Sequence, residues 1–514
     1  MLAHSTQVNE SKALVSPRFG AAHRIATRSQ ELLPLMQEYG LALTFSEPSE
    51  SGLCIADATR NPTSAFKIRG ALAKVIEVHR SGQDTVITAS AGNHGAGVAR
   101  AAELLGMRAI IYVPENAPQV KVRKIESFGG TVIKVGCSFD ESLANSKHDV
   151  RLRDGRASFV HPFDDLTVVA GQGTIGLEIL EYVERVARQR PFERVRLFVP
   201  VGGGGLLAGI ASTVKTLWKA GLPRPEIVCV IDESSPAALL GTFFGRPVCA
   251  MPDTIADGTK VAMIGGSFLA VSQLVDYMIL VRHDEIVSAM RRYELETLTK
   301  IEGAGALALA GESVARDLKL FNGSGKTLSI ALISGRNVDP ETFHKEVTGD
   351  ARLDTNLHVR QAFDVKIPER EGELLHFLQT VQRFNIASLS YKQRPGESTG
   401  RLMVEFELSR SAIADLTGAI SRSFPGSKQT GEAGVRLHRV GAPVANEYHD
   451  QLIILDDRPG SFLRCVEKFS AAGSFGSVGF LFYRKPADIG HPAQVVLGRS
   501  LPRPLHIAPN TAID

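Results

Sequence analysis

Val-Pro-Val-Gly-Gly-Gly-Gly-Leu, residues 199–206, is the stretch whose reading decides the fold. An apolar run, Leu-Phe-Val-Pro-Val, leads into it and a second, Leu-Leu-Ala-Gly-Ile, leads out. Four glycines between a strand and a helix let several backbone N–H groups converge with no side chain in the way. That geometry suits a phosphate at a helix N-terminus. It is not the G-x-G-x-x-G dinucleotide fingerprint, and no Walker lysine follows. A flexible linker is the other explanation, but linkers are rarely framed by such apolar runs.

Outward from this loop, residues 50–340 alternate short β-branched runs with longer helical patterns. Residues 85–88, 109–113, 131–135, 196–200, 227–231, 277–281 and 328–333 are expected as strands. Residues 64–80, 96–105, 117–128, 174–188, 206–219, 284–300 and 304–318 are expected as helices. Such alternation predicts an α/β fold, a parallel sheet with helices on both faces. Sites in these sheets gather at the carboxyl ends of strands.

After residue 350 the pattern becomes βαββαβ, an α+β unit: strand 359–367, helix 373–384, strands 386–393 and 402–408, helix 412–424 and strand 435–440. A partial copy follows, with strand 451–456, helix 461–472 and strands 478–483 and 494–497. Ile-Pro-Glu-Arg-Glu-Gly-Glu-Leu-Leu in the first copy answers Leu-Asp-Asp-Arg-Pro-Gly-Ser-Phe-Leu in the second. The expected division is 1–345, a catalytic region; 355–442, a first module; and 448–514, an incomplete second module and an irregular tail.

Three further segments carry chemistry. In Asn-Pro-Thr-Ser-Ala-Phe-Lys-Ile-Arg-Gly-Ala, residues 61–71, Pro62 sits where a helix would start. Lys67 would lie in the first turns, near the positive end of the dipole, which favours its neutral amine. A neutral amine is what Schiff-base formation with an aldehyde cofactor requires. A solvated surface lysine is the commoner explanation of such a residue taken singly, so the segment alone proves little. In Thr-Ala-Ser-Ala-Gly-Asn-His-Gly, residues 88–95, a turn after a strand opens a helix whose N–H groups can hold a carboxylate. Asn93 there suits a hydrogen bond to a cofactor phenolate; an ordinary capping turn is the alternative. In Ile-Ser-Gly-Arg-Asn-Val, residues 333–338, Ser334 ends the last strand, where its hydroxyl can face a pyridine nitrogen or simply make a β-turn.

Composition narrows the class. The chain has 514 residues, too many for one core, with 44% hydrophobic and 22% charged residues, as in soluble globular proteins. With 58 basic and 55 acidic residues, its net charge of +3 gives no electrostatic case for nucleic acid or a membrane surface. Five scattered cysteines form neither metal-ligand spacing nor a disulfide framework. The first residues lack the pattern of a secretory signal and no apolar stretch reaches bilayer length, so the expected compartment is the cytoplasm.

Together the four segments resemble the fold-type II pyridoxal-phosphate enzymes, and within them the biosynthetic threonine dehydratases (threonine ammonia-lyases). Ala-Gly-Gln-Gly-Thr (170–174), Phe-Gly-Gly (128–130), Thr-Ile-Ala-Asp-Gly (254–258) and Gly-Ala-Leu-Ala-Leu-Ala-Gly (305–311) add to the likeness. The C-terminal region resembles their paired ACT-like regulatory domains. The resemblance implies a lyase that converts threonine, and serine more slowly, to a 2-oxo acid and ammonia in isoleucine biosynthesis, using pyridoxal 5'-phosphate. It implies that Lys67 binds the cofactor aldehyde beside Phe66, that Asn93 meets the 3-hydroxyl, and that Gly202, Gly203, Gly204, Gly205 and Leu206 hold the phosphate. Ser334 would face the pyridine nitrogen, and Ser90, Ala91, Gly92, Asn93 and His94 the substrate carboxylate. It further implies an allosteric amino-acid effector, isoleucine in the family, at the C-terminal region, and a dimer or tetramer.

The chain departs from the family pattern at Ala58-Thr59, Ala65, Gly95, Gly303 and Arg336. Those departures leave open a diverged paralogue acting by β-elimination or β-replacement on another amino acid, though β-replacing relatives carry Gly-Thr-Gly-Gly-Thr instead of tetraglycine. A non-catalytic amino-acid-binding regulatory protein is the alternative of a different class. Ala91 stands where serine racemases place a second, proton-transferring serine, which favours dehydration. No metal ligand set is expected, although relatives place a cation near the counterparts of Asp232 and Asp257.

Overall fold

The computed structural model describes residues 17–153, 155–250, 252–321, 326–348, 359–368, 373–382, 384–392, 399–408, 412–430, 437–439, 449–455, 478–484 and 493–499. Ten strands lie before residue 345: β1 Thr44–Phe45, β2 Leu53–Asp57, β3 Thr85–Ala89, β4 Arg108–Val113, β5 Thr131–Lys134, β6 Ala157–Phe159, β7 Arg194–Pro200, β8 Pro225–Asp232, β9 Tyr277–Val281 and β10 Thr327–Ile333. They form two sheets, β5-β4-β3-β6 and β1-β2-β10-β7-β8-β9. All pairs are parallel except β1 with β2. The alternation in the sequence thus becomes two α/β units, each with its own core.

Strands β7, β8 and β10 are near-continuous apolar runs because helices cover both of their faces. The helix Leu166–Gln189 packs against helices of both units, and nearly every residue from Thr167 to Leu180 is buried. It begins eight residues before the expected start at Thr174. Asp165 is its N-cap and accepts from the N–H groups of Thr167 and Val168.

The helix expected from Ser64 begins at Ile68. Asn61 holds residues 58–65 in a turn: its Nδ2 donates to the carbonyls of Ala58 and Ala65, and its Oδ1 accepts from Thr63 N and Oγ1. Ser64 takes a left-handed φ of 56°, and Ala65 bridges Gly335 in antiparallel fashion. Those long-range bonds override the helical pattern of the segment. Strands β2 and β6 and the helices Pro17–Glu38, Phe139–Leu152 and Ala237–Phe244 were not expected from the pattern.

The C-terminal region supplies β11 Val359–Pro368, β12 Asn385–Lys392, β13 Thr399–Leu408, β14 Lys428–Gln429, β15 Leu437–Arg439, β16 His449–Leu455, β17 Val478–Arg484 and β18 Ala493–Arg499. Seven form one antiparallel sheet, β14-β11-β13-β12-β17-β18-β16, with the helices Glu373–Val381 and Ile413–Ser423 over the first half. The two copies meet edge to edge at β12 and β17. The strand expected at 435–440 was to close the first copy; β14 takes that place beside β11. β15 pairs instead with β9, where it covers the open edge of the larger of the first two sheets. The expected helix 461–472 and residues 500–514 lie outside the described residues, whereas β16, β17 and β18 fall on the strands expected at 451–456, 478–483 and 494–497.

Candidate active site

Lys67 is the N-cap of the helix Ile68–Arg80, one position before the helical turns expected to hold it. Phe66 N donates to Ser334 O at 3.0 Å, and Arg336 N to Ser64 O at 3.0 Å, so the lysine loop is sewn to the end of β10. The Lys67 Nζ lies 5.3 Å from the Phe66 ring centroid and donates to Pro162 O at 3.0 Å. Burial lowers its pKa to about 8, against the opposing pull of Glu302.

The tetraglycine loop is packed where side chains would otherwise stand. A Cβ on Gly203 would lie 2.3 Å from the Phe163 ring. Gly204, N-cap of the helix Gly205–Leu217, has φ +93°, and a Cβ there would meet the Phe268 Cβ at 2.4 Å. The first N–H groups of that helix have no side-chain cap. Leu206 is buried behind them.

Asn93 opens the helix Asn93–Leu104, again with no side-chain cap on Gly92, although Gly92 N donates to Ser90 Oγ at 3.2 Å. Asn93 Nδ2 donates to Glu302 Oε1 at 2.8 Å, and its Oδ1 accepts from Asn337 Nδ2 at 2.6 Å. The His94 imidazole turns inward to Val160 O at 3.0 Å, and burial lowers its pKa to about 3. Only its backbone faces the helix start. The buried Ser334 hydroxyl donates to Ala304 O at 3.0 Å.

These contacts gather an amine whose pKa is lowered to about 8, N–H groups in a loop that excludes any Cβ, and a hydroxyl at the end of β10. A family pattern described as pyridoxal-phosphate dependent enzyme matches residues 42–332, more than half of the chain.

The chain belongs to this family.

Among members of this pyridoxal-phosphate-dependent family, the biosynthetic L-threonine dehydratase of Pasteurella multocida is 32% identical over 76% of this chain and 71% of its own. The L-threonine ammonia-lyase of Geobacter sulfurreducens is 40% identical over 54% and 66%. Processed threonine deaminase isoform 2 of Solanum lycopersicum superposes with a TM-score of 0.55 at 31% identity, covering 64% of this chain and 89% of that one. The two α/β units are the fold-type II arrangement, and the cofactor of the family is pyridoxal phosphate.

The structure brings the four sequence segments together, through Phe66 with Ser334, Asn93 with Asn337, and Lys67 and Gly203 with the adjacent Pro162 and Phe163. Several contributors were missed: Pro162 and Phe163 against Lys67 and the glycines, and Glu302 and Asn337 against Asn93. Asp164 was also missed; it accepts from Gly266 N and Ser267 N and ties the loop 160–165 to the larger unit. His-Pro-Phe-Asp-Asp, residues 161–165, did carry a signal, acids just before an apolar helical run. Of the departures, Arg336 Nη2 donates to Thr59 O at 3.4 Å, and a Cβ on Gly95 would lie 2.2 Å from Ser90 O.

Asp232 accepts from Ser234 N at 2.8 Å and from the Thr254 hydroxyl, and burial raises its pKa to about 6; Asp257 pairs with Lys121. Each carboxylate thus has its own partners. Among the described residues no group of three or more His, Cys, Asp or Glu is placed to hold a metal, and no helix is long and apolar enough to cross a membrane.

Proposed function

We propose that this chain is a threonine ammonia-lyase, converting L-threonine to 2-oxobutanoate and ammonia, and L-serine more slowly to pyruvate. The observation that carries the reading is Lys67, a lysine with its pKa lowered to about 8, bonded to Pro162 O next to the Phe163 ring that packs on the tetraglycine loop. Named relatives at 30–40% identity support the substrate.

Lys67 would hold the cofactor, Phe66 would lie beside it, and the N–H groups of Gly202 to Leu206 would take its phosphate. Asn93 would face its 3-hydroxyl and Ser334 its ring nitrogen. When bound, pyridoxal phosphate supplies the electron sink that acidifies the substrate α-proton and lets the β-hydroxyl leave. Lys67 Nζ would be the base for that α-proton, since a pKa near 8 leaves a useful neutral fraction at physiological pH. Ser90 Oγ and the N–H groups of Ala91, Asn93 and His94 would hold the substrate carboxylate at this helix N-terminus, with Gly92 N–H orienting the Ser90 hydroxyl. Ala91 offers no proton to the opposite face, which works against racemisation. Released enamine hydrolyses to the 2-oxo acid and ammonia.

The proposal places the catalytic region at 1–345 and ACT-like modules at 355–442 and 448–514, in a cytoplasmic dimer or tetramer of isoleucine biosynthesis, with an amino-acid effector at the modules. A physical link supports such regulation. The buried Arg360 of β11 lies 3.4 Å from Glu233, at the end of β8, and 3.6 Å from Glu405 of β13.

Purified protein with pyridoxal phosphate and a panel of β-hydroxy amino acids tests the reading, scoring 2-oxo acid with and without isoleucine. Release of 2-oxobutanoate from threonine is expected. Turnover of a different panel member alone would replace threonine with that substrate.

A further inference from the structure

Two side-chain amides, one carboxyl and one lysine form a chain of hydrogen bonds between the two units, and the lysine end sets the direction of its amide links. Lys124, on the helix Gln119–Glu126 of the smaller unit, donates to Asn337 Oδ1. An ammonium can only donate, so the Asn337 oxygen must face it. Asn337 Nδ2 then donates to Thr63 O at 2.8 Å and to Asn93 Oδ1 at 2.6 Å. With its oxygen engaged, Asn93 presents Nδ2 to Glu302 Oε1 at 2.8 Å. Glu302 ends the chain as the acceptor of the Asn93 N–H.

The carboxyl reaches this position only because Gly335 has no side chain: a Cβ there would lie 1.9 Å from Glu302 Oε1. Glu302 caps the helix Gly303–Asp317 of the larger unit, so the chain also ties the two units together. An amide turned end for end anywhere along it would set oxygen against oxygen or N–H against ammonium.

We propose that Lys124, Asn337 and Glu302 are positioning residues that lock the Asn93 amide so that an N–H, and not the carbonyl, is turned toward the cofactor ring oxygen. This rests on the reading of Asn93 given under Proposed function. The lock acts through Asn93 on the electronics of the bound cofactor, so it registers in the absorbance of the holoenzyme as well as in turnover. Polarisation along a one-way chain strengthens each link.

The test uses holoenzyme spectra and steady-state kinetics. Asn337→Asp is nearly isosteric but removes both N–H donors, leaving Asn93 Oδ1 and Thr63 O facing a carboxylate. It is expected to shift the visible band of the bound cofactor and to lower kcat about ten- to a hundredfold, with KM for the amino acid changed far less. Glu302→Leu should shift the band likewise, whereas Glu302→Gln, which keeps a carbonyl for Asn93, should restore it. If Asn337→Asp does not accumulate as folded protein, Lys124→Met removes only the terminal cation and should move the band in the same direction by a smaller amount. A wild-type band left unmoved by all of these variants overturns the lock alone. Absence of a cofactor band in wild-type protein overturns the proposed function as well.

Discussion

Lys67 Nζ donates to the carbonyl oxygen of Pro162 at 3.0 Å, a bond between the loop after β2 and the loop after β6. Through it the smaller sheet places the amine, while the bridge from Ala65 to Gly335 anchors the same loop to the larger sheet. The amine stands at the seam of two units and is dehydrated by both, which is why its pKa falls.

Replacing Lys67 with Ala is expected to abolish borohydride-trappable cofactor and to reduce 2-oxo acid formation at least about a thousandfold, the scale of losing a general base. Lys67 makes no capping bond, so the variant should fold. Peptide mass mapping after reduction should place the label on Lys67 in wild-type protein.

Uptake of pyridoxal phosphate by apoprotein should accelerate with pH and level off above about 8, because only the neutral Lys67 amine attacks the aldehyde. Stopped-flow absorbance across pH 6–10 (roughly the range bracketing that pKa) checks this. A rate that stays flat across the range would mean that a different step limits uptake.

Gly203→Ala should weaken cofactor retention and destabilise the protein by about 1–3 kcal/mol, since its Cβ would meet the Phe163 ring. Pairing it with Phe163→Leu should recover part of the stability, as a double-mutant cycle in urea would show. Gly204→Ala should be worse, because φ +93° adds backbone strain to the clash.

Glu178 receives Arg69 Nη1 at 2.5 Å on one oxygen and Leu43 N at 2.5 Å on the other. Arg69 is two residues beyond Lys67, and both partners are buried. Glu178→Ala leaves the guanidinium without its counter-charge and should cost about 3–5 kcal/mol. A urea midpoint equal to wild type would show that water has replaced the carboxylate.

The Glu302 carboxyl is raised to about 7 from an ordinary 4.5, chiefly by burial. Between those values the folded protein binds a proton that the unfolded chain has released, so this contribution is full below about 4.5 and is lost as pH rises through 7. The stability of wild type relative to Glu302→Gln should therefore decline across that window. Paired urea titrations at several pH values measure the difference, in which other carboxyls cancel.

The Lys67, Asn93, tetraglycine and Ser334 segments were legible because each needs particular residue types in a short local pattern. Glu302, Asn337 and Pro162 were not, because each acts through a partner 95 to 244 positions away, or through a backbone carbonyl that any residue carries. The strand at 437–439 was found by its composition but given the wrong neighbour. β-Branched alternation says that a strand will form and says nothing about which open edge it will cover.

The amino-acid order by itself determined where the backbone must run without side chains, where strands give way to helices, and that an antiparallel sheet follows an α/β region. Those properties are local, set by glycine sterics and hydrophobic period. Only the tertiary structure decided the protonation of the amine and the direction of the amides around it. Desolvation and hydrogen-bond polarity belong to neighbours assembled from distant parts of the chain.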